Sequence, residues 1–569
     1  MNIIEISLFV IAVVGVISLG IWKSNQGEEE VGGSKASQYF LAGRGLSWYL
    51  VGFSLIAANI STEQFVGMSG KAADWLGMAI ASYEWMAAVT LVVVAFVFLP
   101  KFLKTGIYTA PEFLEYRYGS FSRFVMAATT LLILVGVPTA SVIYSGAKVI
   151  SGYYTDVWLI GNLTASCWLI ATLAAAYVFV GGLKACAWTD LVWGAALIIG
   201  GALVAVLAFQ ALGSADAAML AKTATLKDIN VAELQSAGAW DRFTMLNAGS
   251  AAEGGKLHMV RPLNDPEIPW SALIVGLWIP NMFYWGFNQY IIQRTLGSKS
   301  LAEGQKGIIF AAMLKLVVPF VVVIPGILAF NLYSDQLLAA SGNGYDYDSA
   351  FPTLLRNLIK PYPWISWFVL AAIFGAIVSS LASMLNSAST IMTMDIYSKV
   401  FPAGAKDEHL PSVGRFFVVL FVIIAAIIAP SLDDFGGIFT YIQEFQGFIS
   451  SGIIAIFLFG MLVPRAPRFL GWSGIVLNAS LYGLIKWWLG PVIVEAGLWF
   501  SDEISFLDRM AICFFLVCIY CAIATLLKPL PEPVQLPENK DIDLTPSPMA
   551  KWMGGAVVIL TGILYVVFW

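Results

Sequence analysis

Charge is scarce in this sequence. Of 569 residues only 12% are Asp, Glu, Lys or Arg, about half the share of an average soluble protein, while 59% are apolar. A surface built from that composition belongs in lipid. The net charge of −5 adds little, because charge in a membrane protein matters by location, and nucleic acid is excluded as a partner. Cysteine is scarce too. Cys167, Cys186, Cys513, Cys518 and Cys521 lie mostly inside apolar runs. Cys518 and Cys521 spell C-x-x-C, but a redox or metal role needs water and further ligands, so packing is the expected role. No kinase-like or nucleotide-binding Gly-rich loop occurs, and no stretch resembles a separate soluble domain. The apolar run 3–22 lacks a signal peptide's basic start and small-residue cleavage site and carries Glu5. It reads as a first membrane helix.

What is present in abundance is the long apolar run. Segments able to cross a bilayer, at roughly 20 residues each, fall near 3–22, 47–70, 77–100, 122–150, 157–180, 187–211, 271–292, 306–331, 365–394, 412–430, 436–463, 470–490, 506–527 and 549–569. Many Trp and Tyr sit at their ends, where amphipathic rings anchor at the interface. The expected fold is an all-α membrane protein with fourteen transmembrane helices. An even count puts both termini on one side. With the N-terminus outside, the loops holding Lys23/Lys35/Arg44, Lys101/Lys104/Arg117/Arg123, Arg294/Lys299/Lys306, Lys399/Lys406/Arg415, Arg465/Arg468 and Lys528/Lys540/Lys551 face the cytoplasm. The short loops around Asp433/Asp434 and Asp502/Glu503 then face outward without a basic residue, so the positive-inside bias places both ends outside. The polar outer segments 212–270 and 332–364 are expected to form short helices or lids. The stretch 528–548 has the Pro and charge content of a flexible cytoplasmic linker.

Polar groups at membrane depth are costly and mark function by default. The second span places Asn59, Ser61, Thr62, Glu63 and Gln64 together; a helix break there would free carbonyls for a cation, while the bland alternative is a helix end touching headgroups. Glu84, flanked by Tyr83 and Trp85, and Lys315 stand inside otherwise apolar spans. Each needs a partner or water. Ala376, Ser379 and Ser380, at i, i+3 and i+4, put a carbonyl and two hydroxyls on one face. Uncharged oxygen ligands suit a weakly held Na+ better than a divalent ion, although small residues also let helices pack closely. Phe439 and Gln443 lie four apart on the eleventh span. In the seventh, Asn281, Asn288, Gln289 and Gln293 sit among aromatics, and Pro280 and Gly286 make a second break plausible. Breaks five spans apart fit two inverted five-helix repeats with a site between them. The organisation expected is 1–46, an extra helix and loop; 47–270, the first repeat with its outer segment; 271–463, the second repeat; and 464–569, extra helices with the linker.

The strings AANISTEQFVGMSG, ASYEWM, YWGFNQYIIQRTL, AAMLKLVVP, AIVSSLASMLNSASTIMTMDIY and YIQEFQG, six in order, resemble the sodium:solute symporter family and its sodium/glucose cotransporter branch. The resemblance runs from the second span to about the eleventh and returns in the last. It implies a five-plus-five inverted-repeat (LeuT-type) core and sodium-coupled import of a neutral hexose through a bacterial inner membrane, with no enzymatic activity and no organic cofactor. It implies a sodium site at Ala57, Ile60, Ala376, Ser379 and Ser380. Substrate contacts would fall on Gln64, Tyr83, Glu84, Ala87, Asn281, Lys315 and Gln443. Met68 and Phe439 would form an outer gate, Tyr284 with Trp285 an inner one, and Asp190 would lie on the sodium exit path. The branch carries a serine where this chain has Ala87 and a tyrosine where it has Phe283, which leaves the particular sugar open. The alternatives are another polyol such as inositol, a membrane sugar sensor, or a proton-driven carrier using Glu84 or Asp190; the uncharged Ser379/Ser380 face favours sodium over protons.

Overall fold

The structure is a computed structural model that describes residues 3–25, 40–155, 157–338, 344–401, 409–435 and 437–569. The regular secondary structure of the described residues is helical, with isolated bridges as its only β-structure. Ten described helices are long and apolar enough to cross a membrane by length and composition. The other four expected spans are shorter or interrupted: Trp48–Asn59, Leu163–Val178 and Ala272–Gly286, and Leu470–Leu484 with its continuation Ile485–Leu489. Leu132 and Val566 are 74% and 76% exposed, a poor arrangement in water and an ordinary one against lipid.

Eight elements are labelled here in chain order: α1 (Trp48–Asn59), α2 (Ser82–Val93), α3 (Leu163–Ser214), α4 (Trp278–Gly286), α5 (Gln289–Leu296), α6 (Leu301–Tyr333), α7 (Pro363–Thr390) and α8 (Ile438–Leu462). At 52 residues, α3 would rise about 78 Å if straight, far more than the ~30 Å hydrocarbon core. It is not straight. The Tyr177 Oη and Thr189 Oγ1 lie 2.5 Å apart, whereas twelve residues of regular helix separate their ends by about 18 Å. The chain therefore folds back between them, as the two expected spans 157–180 and 187–211 require.

Both expected breaks are present. Helix α1 ends at Asn59, and Ile60 is extended at φ −80 and ψ 99; helix resumes as the π-turn Gln64–Met68 and Ser69–Ala73. Helix α4 ends at Gly286, Phe287 and Asn288 leave helical geometry, and α5 begins at Gln289. Helix α7 packs on α3, α1 and α5, while α6 packs on α1, α2 and α3, so the two breaks are enclosed by long helices. Such placement is what a broken backbone needs, since unpaired carbonyls cannot face lipid.

The outer segments form short helices as expected, at Ala217–Ala221, Val231–Ser236, Ala239–Leu246 and Ala350–Leu354. Gly77 takes φ +54, and where it lacks a Cβ the backbone of Lys256 enters; the Met78 N–H donates to the Lys256 carbonyl at 2.7 Å. The Lys256 Nζ donates to the Ala73 carbonyl at 2.5 Å and lies 3.8 Å from the Phe330 ring centre.

The stretch 528–548 departs from expectation. It forms a hydrogen-bonded strap: the Leu530 N–H donates to Arg465 O, Val534 N–H to Pro464 O and Asn539 N–H to Lys104 O, and Asp543 O accepts from Leu301 N–H. Glu538 pairs with Lys104 at 2.8 Å. Its prolines keep it extended, so the backbone donors they leave can pair with loop carbonyls. Among the described residues the cysteines are unbridged, and four of the five are buried.

Candidate functional site

A cavity of about 60 Å³ lies between the two breaks, room for roughly four to six waters at 10–15 Å³ each. All eleven residues expected at the substrate and gates line it: Gln64, Met68, Tyr83, Glu84, Ala87, Asn281, Tyr284, Trp285, Lys315, Phe439 and Gln443. Asn59, Glu63, Pro138, Pro280, Tyr290, Ile442 and Gln446 complete the wall.

Each polar group is positioned by its element. The Gln64 side-chain oxygen accepts from the Ser61 N–H at 2.9 Å, bridging the break after α1. Glu84 is in the first turn of α2 and pairs with Lys315 from α6; Lys315 also donates to Asn59 Oδ1. Glu84 is 4% and Lys315 0% exposed, so neither charge is relieved by snorkelling to the interface. The ammonium also lies 5.0 Å from the Trp285 ring centre. Asn281 Nδ2 donates to Leu277 O at 2.9 Å.

Aromatics flank the cavity on two sides. The Tyr83 and Phe439 rings meet edge to face at 4.9 Å, with Met68 buried nearby. Gly67 lets this approach happen, because a Cβ there would fall 2.8 Å from Ile438 and 3.2 Å from Phe439. On the other side the Tyr284 hydroxyl accepts from Asn59 Nδ2 at 2.8 Å, and Tyr284 packs edge to face on Trp285 and Tyr290, at 5.1 and 5.6 Å between ring centres. Ala87 is buried on the cavity wall, and Phe283 is buried away from it.

Three of the five expected sodium residues, Ala57, Ser379 and Ser380, meet beside the first break. Ser380 Oγ donates to the carbonyls of Ala57 at 3.2 Å and Ala58 at 3.3 Å, and Ser379 Oγ lies 3.4 Å from the Ala57 carbonyl. Ala376, on α7, and Ile60, in the break that follows α1, are both buried. These oxygens are uncharged and converge, and with the hydroxyl hydrogens turned away their lone pairs suit a monovalent cation better than a divalent one. Asp190 is one step further along: it accepts from Ser379 Oγ and Ser54 Oγ, both at 2.5 Å.

One basic residue counted as a loop charge is not in a loop. Arg294 is fully buried near the end of α5, 3.4 Å from Asp190 Oδ2, and donates to Ser54 Oγ at 2.6 Å and to Ser383 Oγ. A helix-end arginine after an apolar run looks like a flanking charge in the sequence; the partner Asp190 lies 104 residues away and is brought to it only by packing. Asn59 and Glu63 belonged to the polar stretch noticed in the sequence without being assigned a contact. Tyr290 carried no signal beyond its aromatic neighbours. On the back of α8, Glu444 is held by Lys486, by Arg509 at 3.1 Å and by the Tyr482 hydroxyl at 3.3 Å, which fixes the face carrying Phe439 and Gln443.

Comparison with known proteins bears on these residues. A family model described as the sodium:solute symporter family matches residues 39–471. The sodium/glucose cotransporter of Vibrio parahaemolyticus is 36% identical over an alignment of 588 positions, covering 100% of this chain and 99% of the relative. The sodium/myo-inositol cotransporter of Mus musculus is 28% identical, covering 94% of this chain and 74% of its own length. Among solved structures, a substrate-bound, outward-open Na+-coupled sialic acid symporter superposes with a TM-score of 0.71 at 21% identity, over 95% of this chain and 100% of that one; at that identity the likeness speaks for the fold.

Proposed function

The chain belongs to the sodium:solute symporter family, a multi-pass membrane transporter coupled to sodium, and from that premise we propose that it imports a neutral hexose of the galactose or glucose type by alternating access. One observation carries the choice of a polyhydroxyl substrate. Long polar side chains from five separate segments, Gln64, Glu84, Asn281, Lys315 and Gln443, converge on one cavity. Four buried atoms of its walls, Glu63 Oε2, Tyr83 Oη, Tyr290 Oη and Gln443 Oε1, have no protein partner. A buried polar atom left unpaired costs about 1 to 3 kcal/mol, and a ring bearing hydroxyls around its rim would satisfy several at once, with Tyr284 and Trp285 offering faces to its carbon skeleton.

In this reading Ala57, Ile60, Ala376, Ser379 and Ser380 hold Na+, which leaves past Asp190 once the Arg294 pair opens. Met68, Tyr83 and Phe439 close the outer side, and Tyr284 and Trp285 the inner. The same reading takes the architecture as fourteen spans with a five-plus-five inverted-repeat core, in a bacterial inner membrane with both termini outside. A second polyol, an inositol, is favoured by the myo-inositol relatives, and Ala87, one hydroxyl poorer than the serine of the sugar-transporting branch, leaves the choice between them open.

The test is uptake of labelled sugars and polyols into proteoliposomes, with and without an inward sodium gradient. Galactose or glucose should accumulate only with the gradient. A panel in which inositol alone accumulates would move the substrate to the second reading, and competition profiles unchanged by Ala87→Ser would remove Ala87 from the substrate wall.

A further inference from the structure

The cavity lining holds three charged side chains, Glu63, Glu84 and Lys315. The single ammonium is committed: Lys315 donates to Glu84 and to Asn59. Glu63 is left over. It is 6% exposed, its Oε2 is buried without a hydrogen-bond partner, and it sits in the first turn after the break, where its backbone N–H is tied to Ser61 Oγ at 3.3 Å. That tie fixes its Cα against the break, and the residue forms part of the cavity wall. A carboxylate can only accept hydrogen bonds, and a buried one without a donor is among the costliest arrangements a protein keeps. A donor for that one oxygen can arrive with what is transported.

We propose that Glu63 accepts a hydrogen bond from a hydroxyl of the transported polyol and is a specificity-determining residue of the site. The proposal rests on the polyol reading of the cavity. Its chemistry is selective: a hydroxyl bonded to a buried acceptor is missed heavily when absent, because the site is then left with an unpaired polar atom, whereas an extra methylene or a moved apolar edge is tolerated. Glu63 would thus choose among stereoisomers by the position of one hydroxyl, while Glu84, already balanced by Lys315, contributes less to that choice. Two other donors could serve a carboxylate here, the sodium ion and a proton, and each leaves a different trace.

The experiment uses the full chain in proteoliposomes. KM is measured for the best-transported sugar or polyol of the panel and for each of its monodeoxy analogues, in the parent, in Glu63→Gln, which keeps the size and polarity of the side chain, and in Glu63→Asp, which keeps the charge and retracts it. The expected result is a rise in KM of about ten- to hundredfold in Glu63→Gln. One monodeoxy analogue should lose a similar factor in the parent and almost nothing more in the variant, with Glu63→Asp intermediate. The proposal is overturned if every analogue loses the same factor in parent and variant. It is equally overturned if the sugar KM is unchanged while the sodium concentration for half-maximal uptake, or the pH dependence of uptake, shifts instead. If the parent takes up no polyol under a sodium gradient, the reading beneath it fails as well, and the two failures are told apart by the parent alone.

Discussion

At the scale of single residues the site is a balance of buried polar groups. Glu84 and Lys315 come from α2 and α6 and neutralise each other, and breaking a buried pair by removing one partner costs about 3 to 5 kcal/mol, more than replacing both. Lys315→Ala should therefore lower the melting temperature of the purified protein more than the double change Glu84→Gln/Lys315→Met, with sugar affinity lost in both. Equal melting temperatures for the two variants would mean that the pair is not desolvated. The sodium oxygens give a second expectation. Changing Ser379 and Ser380 together to Ala removes both hydroxyls from the Ala57 and Ala58 carbonyls, so uptake should need roughly tenfold more sodium or better, the effect of losing about 1.4 kcal/mol of binding. Half-maximal sodium concentrations that coincide in parent and variant would reduce the serines to packing residues. Residues of this kind were legible in the sequence because lipid makes polar groups rare at depth: Glu84 and Lys315 stand out against their neighbours. Arg294 did not, since at a helix end an arginine looks like a membrane flank and its partner Asp190 is distant in sequence. The vacancy at Glu63 Oε2 was also invisible, because pairing is decided by which other helices arrive.

At the scale of elements, the decisive feature is discontinuity. The polar run after Asn59 and the Pro280/Gly286 pair announced the two breaks, and the backbone leaves helical geometry at Ile60 and at Phe287–Asn288. The reversal within α3 was legible as two separate spans, 157–180 and 187–211; what the apolar pattern could not convey is which side chains meet across it, Tyr177 with Thr189. Cysteines placed at Tyr177 and Thr189 should be joined by a short thiol-reactive crosslinker, since these side chains touch. A straight helix would hold the positions about 18 Å apart, and failure to crosslink in a folded, transport-competent variant would contradict the reversal. Helix α8 shows a second element-level device: Phe439 and Gln443 look into the cavity from one face while Glu444 is moored to Lys486 and Arg509 on another. Sequence periodicity suggested the first face and gave no sign of the mooring.

At the scale of the whole molecule, the extramembrane segments dock on the bundle instead of hanging from it. Burial in the outer segment lowers the Lys256 ammonium from 10.5 to about 7, with Asp74 opposing the shift. Between those values the unfolded chain holds a proton that the folded one does not, so stability rises with pH across the window and is weakest below about 7. Thermal stability should climb from about pH 7 to pH 9, and Lys256→Met, which keeps the contact with Phe330, should flatten that climb; an unchanged slope in the variant would place the titration elsewhere. The largest claim is that the cavity and the oxygens of α1 and α7 are coupled, so that sodium drives sugar. One Na+ moving down a tenfold gradient and a 100 mV potential releases about 1.4 plus 2.3, or roughly 3.7 kcal/mol, enough for several-hundredfold accumulation of a neutral solute. The direct measurement is the current evoked by a sugar jump on proteoliposomes fused to a solid support, in sodium and in choline. The account predicts an inward positive current that requires both sugar and sodium and that, in Ser379→Ala/Ser380→Ala, falls at the parent's half-maximal sodium and returns at roughly tenfold more. A current of equal size in choline, or sugar uptake in sodium that carries no charge at all, would contradict it.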